Sequence, residues 1–288
     1  MIKDRSLSSK LFDLILFVMC TVVLVSIIAP IMNIFAVSFS SYDPFARGDV
    51  TFWPVEFSLD AYKAIIHDGK VLQGLKYSVL YTALGTLINV ILTILTAYPL
   101  SRPEMPFRKT ISKFFAFTMF FSGGTIPTFL LVQKLGLYNT IWAMVIPNAM
   151  QVYNMIIMRT YFQSIPGELM EAARIDGANE WQTLWRIVLP LSKASIATIG
   201  LFYAVAHWNS WFNASSYLST ADKAPLQLVL RNMIFNAQTL ARTGEAEIIG
   251  ATTINYAALF ISMVPMMVLY PFVQKYFVKG VMVGSVKG

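Results

Sequence analysis

Charge, cysteine and histidine are all scarce in this chain. Of its 288 residues, 13% are charged, one is cysteine and two are histidine. The lone Cys20 excludes an intrachain disulfide and a metal site built from cysteines. With only His67 and His207 beside it, no metal-ligating, Cys/His or paired-carboxylate constellation falls within the apolar stretches, so neither a metal nor an enzymatic site is expected. The phosphate-cradling pattern Gly-x-x-x-x-Gly-Lys-Ser/Thr is missing, so the chain is not expected to hydrolyse ATP or to hold a nucleotide cofactor.

What fills the space is apolar. Hydrophobic residues make up 56% of the chain and aromatic residues 14%, with a mean hydropathy of +0.60, too apolar for an ordinary soluble protein. A membrane-crossing helix needs about 20 predominantly apolar residues. Six stretches meet that length: 11–37, 75–100, 112–133, 138–160, 191–213 and 253–277. The first is too long for a signal-peptide core and carries Pro30 and Asn33, so it reads as an uncleaved span. Gly136 predicts a short turn joining the third and fourth stretches as an antiparallel hairpin. The expected fold is an all-α integral membrane protein with six transmembrane helices.

The net charge of +7 reports topology and not nucleic-acid binding, because the basic residues fall in short loops between apolar runs. Lys3, Arg5 and Lys10 precede the first span, Arg102, Arg108, Lys109 and Lys113 follow the second, and Lys275, Lys279 and Lys287 end the chain. Asp43, Asp49, Glu56, Asp60 and Asp68 crowd the connection after the first span. Both termini and the loop between spans four and five are therefore expected in the cytoplasm, and the connections 38–74 and 214–252 outside, with short surface helices such as the one starting near Leu59.

The loop at 164–190 punctuates as two short helices. Ser164, Pro166 and Glu168 suit a helix start, and Gly177 suits a stop. Asn179 suits a cap for a second helix, with Trp181, Leu184, Trp185 and Val188 on one face until Pro190 ends it. By helical physics alone this is equally a hairpin lying in the headgroup layer. The spacing of particular residues says more: Glu171-Ala172-Ala173, three residues, Gly177, nine residues, then Ile187-Val188-Leu189-Pro190. That pattern resembles the coupling loop of ABC-importer permeases, and the likeness extends along essentially the whole chain.

Within that family the sequence is similar to the carbohydrate-uptake branch, to the maltose-type second permease and to permeases for complex oligosaccharides. The segments 121–127 (Phe-Ser-Gly-Gly-Thr-Ile-Pro) and 207–212 (His-Trp-Asn-Ser-Trp-Phe) carry that finer likeness. The resemblance implies a type I ABC importer transmembrane fold in a bacterial plasma membrane. It divides the chain into a first span with its outer connection (1–74), a permease core (75–277) and a cytoplasmic tail (278–288).

It also implies that Glu171, Ala172, Ala173, Arg174, Asp176, Gly177, Ile187, Leu189 and Pro190 couple the chain to an ATPase, and that Gly284, Ser285, Val286, Lys287 and Gly288 reach into the ATPase dimer. The implied partners are a homologous second permease subunit, two ATP-binding subunits that hold ATP and Mg, an extracytoplasmic solute-binding protein, the lipid bilayer and a carbohydrate substrate.

Polar groups inside a bilayer are site candidates, since they tend to face a bundle interior or a watery cavity. Asn148, Gln151, Tyr153, Asn154, His207, Asn209, Asn213, Asn255 and Tyr256 are such groups. Amides and rings suit sugar hydroxyls and sugar faces, yet the same residues also join helices, and Trp208 and Trp211 fit an aromatic belt. Gly123, Gly124 and Pro127 are expected to kink or closely pack span three. A secondary transporter would ordinarily place Asp or Glu within its spans or show broken-helix repeats, and neither is evident here, since Asp13 sits at the entry of the first span. A permease for peptides or polyamines remains open.

Overall fold

The computed structural model describes residues 7–243 and 248–285. Among them the only β feature is an isolated bridge between Ser40 and Phe57, and the rest of the regular structure is helical. The helices are α1 (Leu7–Ser38), α2 (Tyr42–Arg47), α3 (Asp60–Asp68), α4 (Lys70–Ser101), α5 (Arg108–Phe120), α6 (Thr125–Lys134), α7 (Ile141–Val145) and α8 (Val152–Gln163). They continue as α9 (Gly167–Ile175), α10 (Glu180–Thr183), α11 (Leu189–Leu191), α12 (Lys193–Trp208), α13 (Trp211–Tyr217), α14 (Leu226–Thr243) and α15 (Ile248–Ser285).

Three of the described helical stretches, Ser9–Ser38, Lys70–Ser101 and Thr252–Pro271, are long and apolar enough to cross a bilayer as single rods. The other three predicted spans are broken pairs: α5 with α6 bends by 113°, the α7 segment (Ile141–Asn148) with α8 by 55°, and Glu180–Leu191 with α12 by 81°. Sequence windows of apolar residues do not report such bends. At the first break Phe121 is extended and Gly124 has φ +86°, so the Ser122-Gly123-Gly124 run produces a corner far sharper than a kink. The fifth predicted stretch also stops early: α12 ends at Trp208, and α13 starts a new helix at Trp211. The sixth overruns its prediction, since α15 continues without a break from Ile248 to Ser285.

The chain divides into two compact units. One comprises Met1–Val71 with Asn232–Met263, the other Leu72–Arg231 with Val264–Gly288. In the first, Ala36, Val37 and Val50 form a small core with Phe45, Val55 and Tyr256 against it. Phe39 contacts the rings of Phe35, Phe57, Tyr62 and Phe260. The connection after α1 is tied back to it by the Tyr62 hydroxyl on Ser38 Oγ (2.9 Å) and by Asn33 Nδ2 on the Thr51 carbonyl (2.8 Å). Farther along, α1 exposes Leu11, Phe12, Phe17, Val22, Val23 and Ile27 all round its circumference, the pattern of a helix surrounded by an apolar medium.

In the second unit α4 is the central rod. Its buried residues recur every fourth position, Tyr81, Gly85, Asn89, Thr93 and Ala97, which places them on one face. That face is apolar at one end and polar in the middle. Ala97, Tyr98 and Leu100 join Met155, Met158 and Phe162 of α8, Ile199 and Tyr203 of α12, and Met170, Leu184 and Val188 of the 164–190 loop in one core. Tyr81 belongs to a second core with Met144, Ala214, Ala224 and Leu228. Ser78 Oγ accepts the Leu226 N–H at 2.8 Å and the Tyr81 hydroxyl donates to the Lys223 carbonyl at 2.9 Å, which fixes the start of α14 on α4.

Candidate functional site

The 164–190 loop folds into an elbow. Pro166 caps α9 with Glu168 in its first turn and Arg174 in its last, the arrangement the helix dipole favours. The chain then reverses at Gly177, whose φ of +77° lies in the left-handed region that a side chain disfavours. Asn179 starts α10 through a reciprocal capping box: its side chain accepts the Gln182 N–H at 2.8 Å, and Gln182 Oε1 accepts the Asn179 N–H at 2.9 Å. Beyond α10, Leu184–Val188 widen into a π turn in which the Leu189 N–H reaches the Leu184 carbonyl, and Pro190 enters the short α11.

The elbow divides its residues between two sides. Met170, Ala173, Thr183, Leu184 and Val188 are buried, with Ile187 and Leu189 packed against the same core. Glu171, Ala172, Arg174, Ile175, Asp176, Gly177 and Pro190 are exposed, Ile175 by 87%. Two expectations are corrected here. Ala173 turns inward, so of the two alanines only Ala172 is offered to another surface. Trp181, Leu184, Trp185 and Val188 do not share one face either: the π turn changes the angular step, so Leu184 and Val188 are buried while Trp181 and Trp185 stand out at 60% and 65% exposure.

A clasp that sequence reasoning missed fixes the elbow to the end of α4. Arg174 pairs with Glu104 (3.0 Å) and Glu180 (3.4 Å), joining the two limbs of the elbow to the α4–α5 connection. The Tyr98 hydroxyl donates to Glu180 Oε2 at 2.6 Å. Arg102 lies over the Tyr98 ring at 4.5 Å and reaches Met170 Sδ at 3.2 Å. Tyr98, Arg102, Glu104, Arg174 and Glu180, with Leu95, Pro99, Met105, Trp181 and Leu184, line a cavity of about 570 Å³.

The Glu104 carboxyl is held below its ordinary value by a backbone hydrogen bond and by the Arg174 guanidinium, so the pair persists as pH falls until that lowered value is passed. Both partners are largely exposed, and their weight in stability is small. Arg174→Ala is expected to lower the stability of the purified protein only slightly, measured by thermal unfolding.

The second feature is a polar chamber of about 210 Å³, lined by Asn89, Asn148, Gln151, Ala206, His207, Asn209, Ser210, Phe212 and Asn213. It sits where two helices break, between Asn148 and Val152 and again at Asn209. Five of the sequence candidates, Asn148, Gln151, His207, Asn209 and Asn213, meet here. Asn154 is buried behind them, with its amide 3.4 Å from Gln151 Oε1. Tyr153 is 57% exposed and does not line the chamber, since the backbone break turns it to another side, and Asn255 belongs to the other unit.

His207 is buried against Gly85, where a Cβ would collide with the imidazole, and its Nε2 is 3.5 Å from Asn89 Oδ1. Trp208 is buried, which corrects its reading as a belt residue, while Trp211 is partly exposed beneath the Arg231 guanidinium at 4.5 Å. Asn89 was not among the sequence candidates, although the four-residue spacing of the α4 face pointed to it. Among the described residues no group of His, Cys, Asp or Glu is arranged to hold a metal. In the tail, Gly284 and Ser285 close α15, and Val286, Lys287 and Gly288 lie outside the described residues.

Apolar helices too long for a soluble core, a neutral polar chamber at helix breaks and an exposed elbow together define a membrane transport subunit. Residues 4–283 match the family model described as "Binding-protein-dependent transport system inner membrane component", and the chain belongs to that family. It is 37% identical to the polygalacturonan/rhamnogalacturonan transport system permease protein YtcP of Bacillus subtilis, over 98% of this chain and 100% of that protein. Protein LplC of the same organism is 40% identical over 91% of this chain and 90% of its own length. Among solved structures, a chain of a bacterial ABC transporter involved in the import of the acidic polysaccharide alginate superposes with a TM-score of 0.88 at 34% identity, covering 96% of this chain and 99% of that one.

Proposed function

We propose that this chain is a permease subunit of a binding-protein-dependent ABC importer that carries an oligosaccharide into a bacterial cytoplasm. In this reading the chain crosses the membrane six times, with both termini and the elbow in the cytoplasm. It pairs with a homologous permease subunit above two ATP-binding subunits, and an extracytoplasmic solute-binding protein delivers cargo from outside. The chain itself is non-catalytic, and ATP and Mg belong to its partners.

The observation that carries the reading is the elbow: the residues with family spacing form a rigid reversal that exposes Glu171, Ala172, Ile175 and Asp176 and anchors its other side in the core. Force applied to the exposed limb by a partner that closes on ATP passes through Arg174, Tyr98 and the packed Leu184 into α4, α8 and α12, and rocks them as a body. The polygalacturonan/rhamnogalacturonan named for one relative and the acidic polysaccharide alginate named for a solved neighbour support a sugar cargo, and the amide-lined chamber suits hydroxyl groups.

Copurification and uptake test the reading together. A tagged chain is expected to bring down a second permease and an ATPase, and membrane vesicles holding the complex and its binding protein are expected to accumulate oligosaccharides, uronate-containing ones foremost, only with ATP. Transport by the isolated chain, or ATP-driven uptake confined to peptides or polyamines, would overturn it.

A further inference from the structure

The break between the α7 segment and α8 leaves backbone groups without helical partners. Within lipid such groups must be satisfied by protein or water. Here two other helices satisfy them. Asn89 Nδ2 of α4 donates to the Asn148 carbonyl at 2.8 Å on one lip of the break. On the other lip the Gln151 N–H donates to the Tyr203 hydroxyl oxygen of α12 at 3.1 Å. Tyr203 is joined in turn to Thr93 Oγ1 of α4 at 2.7 Å. Asn89, Thr93 and Tyr203 are 1%, 0% and 0% exposed. The two lips they grip, Asn148 and Gln151, are walls of the polar chamber.

We infer that Asn89, Thr93 and Tyr203 are positioning residues for transport, forming a clamp that sets the width of the chamber by holding both lips of the broken helix, with Asn89 in the chamber wall and Thr93 and Tyr203 behind it. The inference rests on the reading that the chamber lies on the transport path. The clamp joins the break to the two helices that also receive the elbow, since Ala97 and Tyr98 of α4 and Ile199 and Tyr203 of α12 share a core with Met170, Leu184 and Val188. Movement of the elbow therefore reaches the clamp through contiguous packing. A clamp whose bonds are intact transmits that movement to the lips, and one that has lost a hydroxyl lets them lag.

The test uses the assembled complex with its ATPase and binding protein. Tyr203→Phe keeps the ring and removes the hydroxyl, leaving the Gln151 N–H without its partner on α12. The complex is expected to assemble in parental amount, with maximal uptake down about tenfold and the half-saturating concentration of loaded binding protein unchanged. Thr93→Val is expected to share the defect in milder form and Thr93→Ser to escape it.

A readout independent of cargo comes from Asn213→Cys in a Cys20→Ala background, labelled by a small polar thiol reagent with and without ATP and vanadate. The parent is expected to label at different rates in the two states, and Tyr203→Phe to erase the difference. Equal rates in the parent would remove the chamber from the path, and the inference with it. A parental difference that Tyr203→Phe preserves, or a loss of uptake explained wholly by less assembled complex, would overturn the clamp alone.

Discussion

Gly177→Trp is expected to abolish uptake, to leave capture of ligand by the external binding protein normal and to uncouple ATP hydrolysis from transport. Two effects coincide at this position and a series separates them. The left-handed backbone, φ +77°, costs an ordinary residue about 1 to 2 kcal/mol. A Cβ there meets nothing within 4 Å in this chain, so steric conflict within the subunit does not arise. Gly177→Asn, which tolerates the left-handed region, is expected to retain most uptake, Gly177→Ala to lose it a few-fold, roughly in line with that strain, and Gly177→Trp to lose all of it. The excess in the tryptophan variant measures an occupied surface outside the chain. Transport by Gly177→Trp equal to that of Gly177→Ala would mean that nothing docks at the elbow.

Gly85→Leu is expected to have the second large effect, a loss of roughly a hundredfold in transport through overpacking. Gly85 is buried on the α4 face, and even a single Cβ there would strike the carbons and Nε2 of the His207 ring. His207 cannot yield without leaving Asn89, which holds the Asn148 carbonyl. Gly85→Ala is thus expected to lower the thermal stability of the purified complex by about 1 to 3 kcal/mol. Combining it with His207→Ala is expected to restore stability, because the two changes act on one volume. If the double variant were no more stable than Gly85→Ala alone, the close approach would not be the cause.

The sequence made the apolar architecture and the elbow legible for different physical reasons. Long apolar runs in α1, α4 and α15 are read directly, since a bilayer admits few alternatives. The elbow was read from Pro166, Glu168, Gly177 and Asn179, local signals acting over one helical turn, and α9, α10 and the capping box form where those residues stand. What stayed hidden depends on tertiary contact. The breaks of 113°, 55° and 81° leave hydropathy nearly unchanged. The inward turn of Ala173 and the outward turn of Trp181 depend on how the two limbs pack, through Met170, Leu184 and Val188, onto α4, α8 and α12.

Tyr98, Arg102, Glu104 and Glu180 were also silent, because an ordinary tyrosine and scattered charges near a loop acquire meaning only when folding brings residues 82 positions apart to 2.6 Å. In the chamber, polar type alone nominated Asn148, Gln151, His207, Asn209 and Asn213 and equally nominated Tyr153 and Asn255, which do not line it. Asn89 is polar and buried in the middle of an otherwise apolar span, and a four-residue count along α4 would have found it.

The π turn at Leu184–Val188 has an arithmetic consequence. It accommodates one residue more than an α turn would by widening, with the Leu189 N–H reaching back five residues to the Leu184 carbonyl. Deleting a single residue there would let the ladder of hydrogen bonds close in the ordinary way, with no bond lost. The chain after it would keep its phase, because four α steps of about 100° sweep nearly the same angle as the five narrower steps of a π turn. The irregularity therefore holds a spare residue without redirecting the helix that follows, and the inward aim of Tyr203 and His207 does not depend on it.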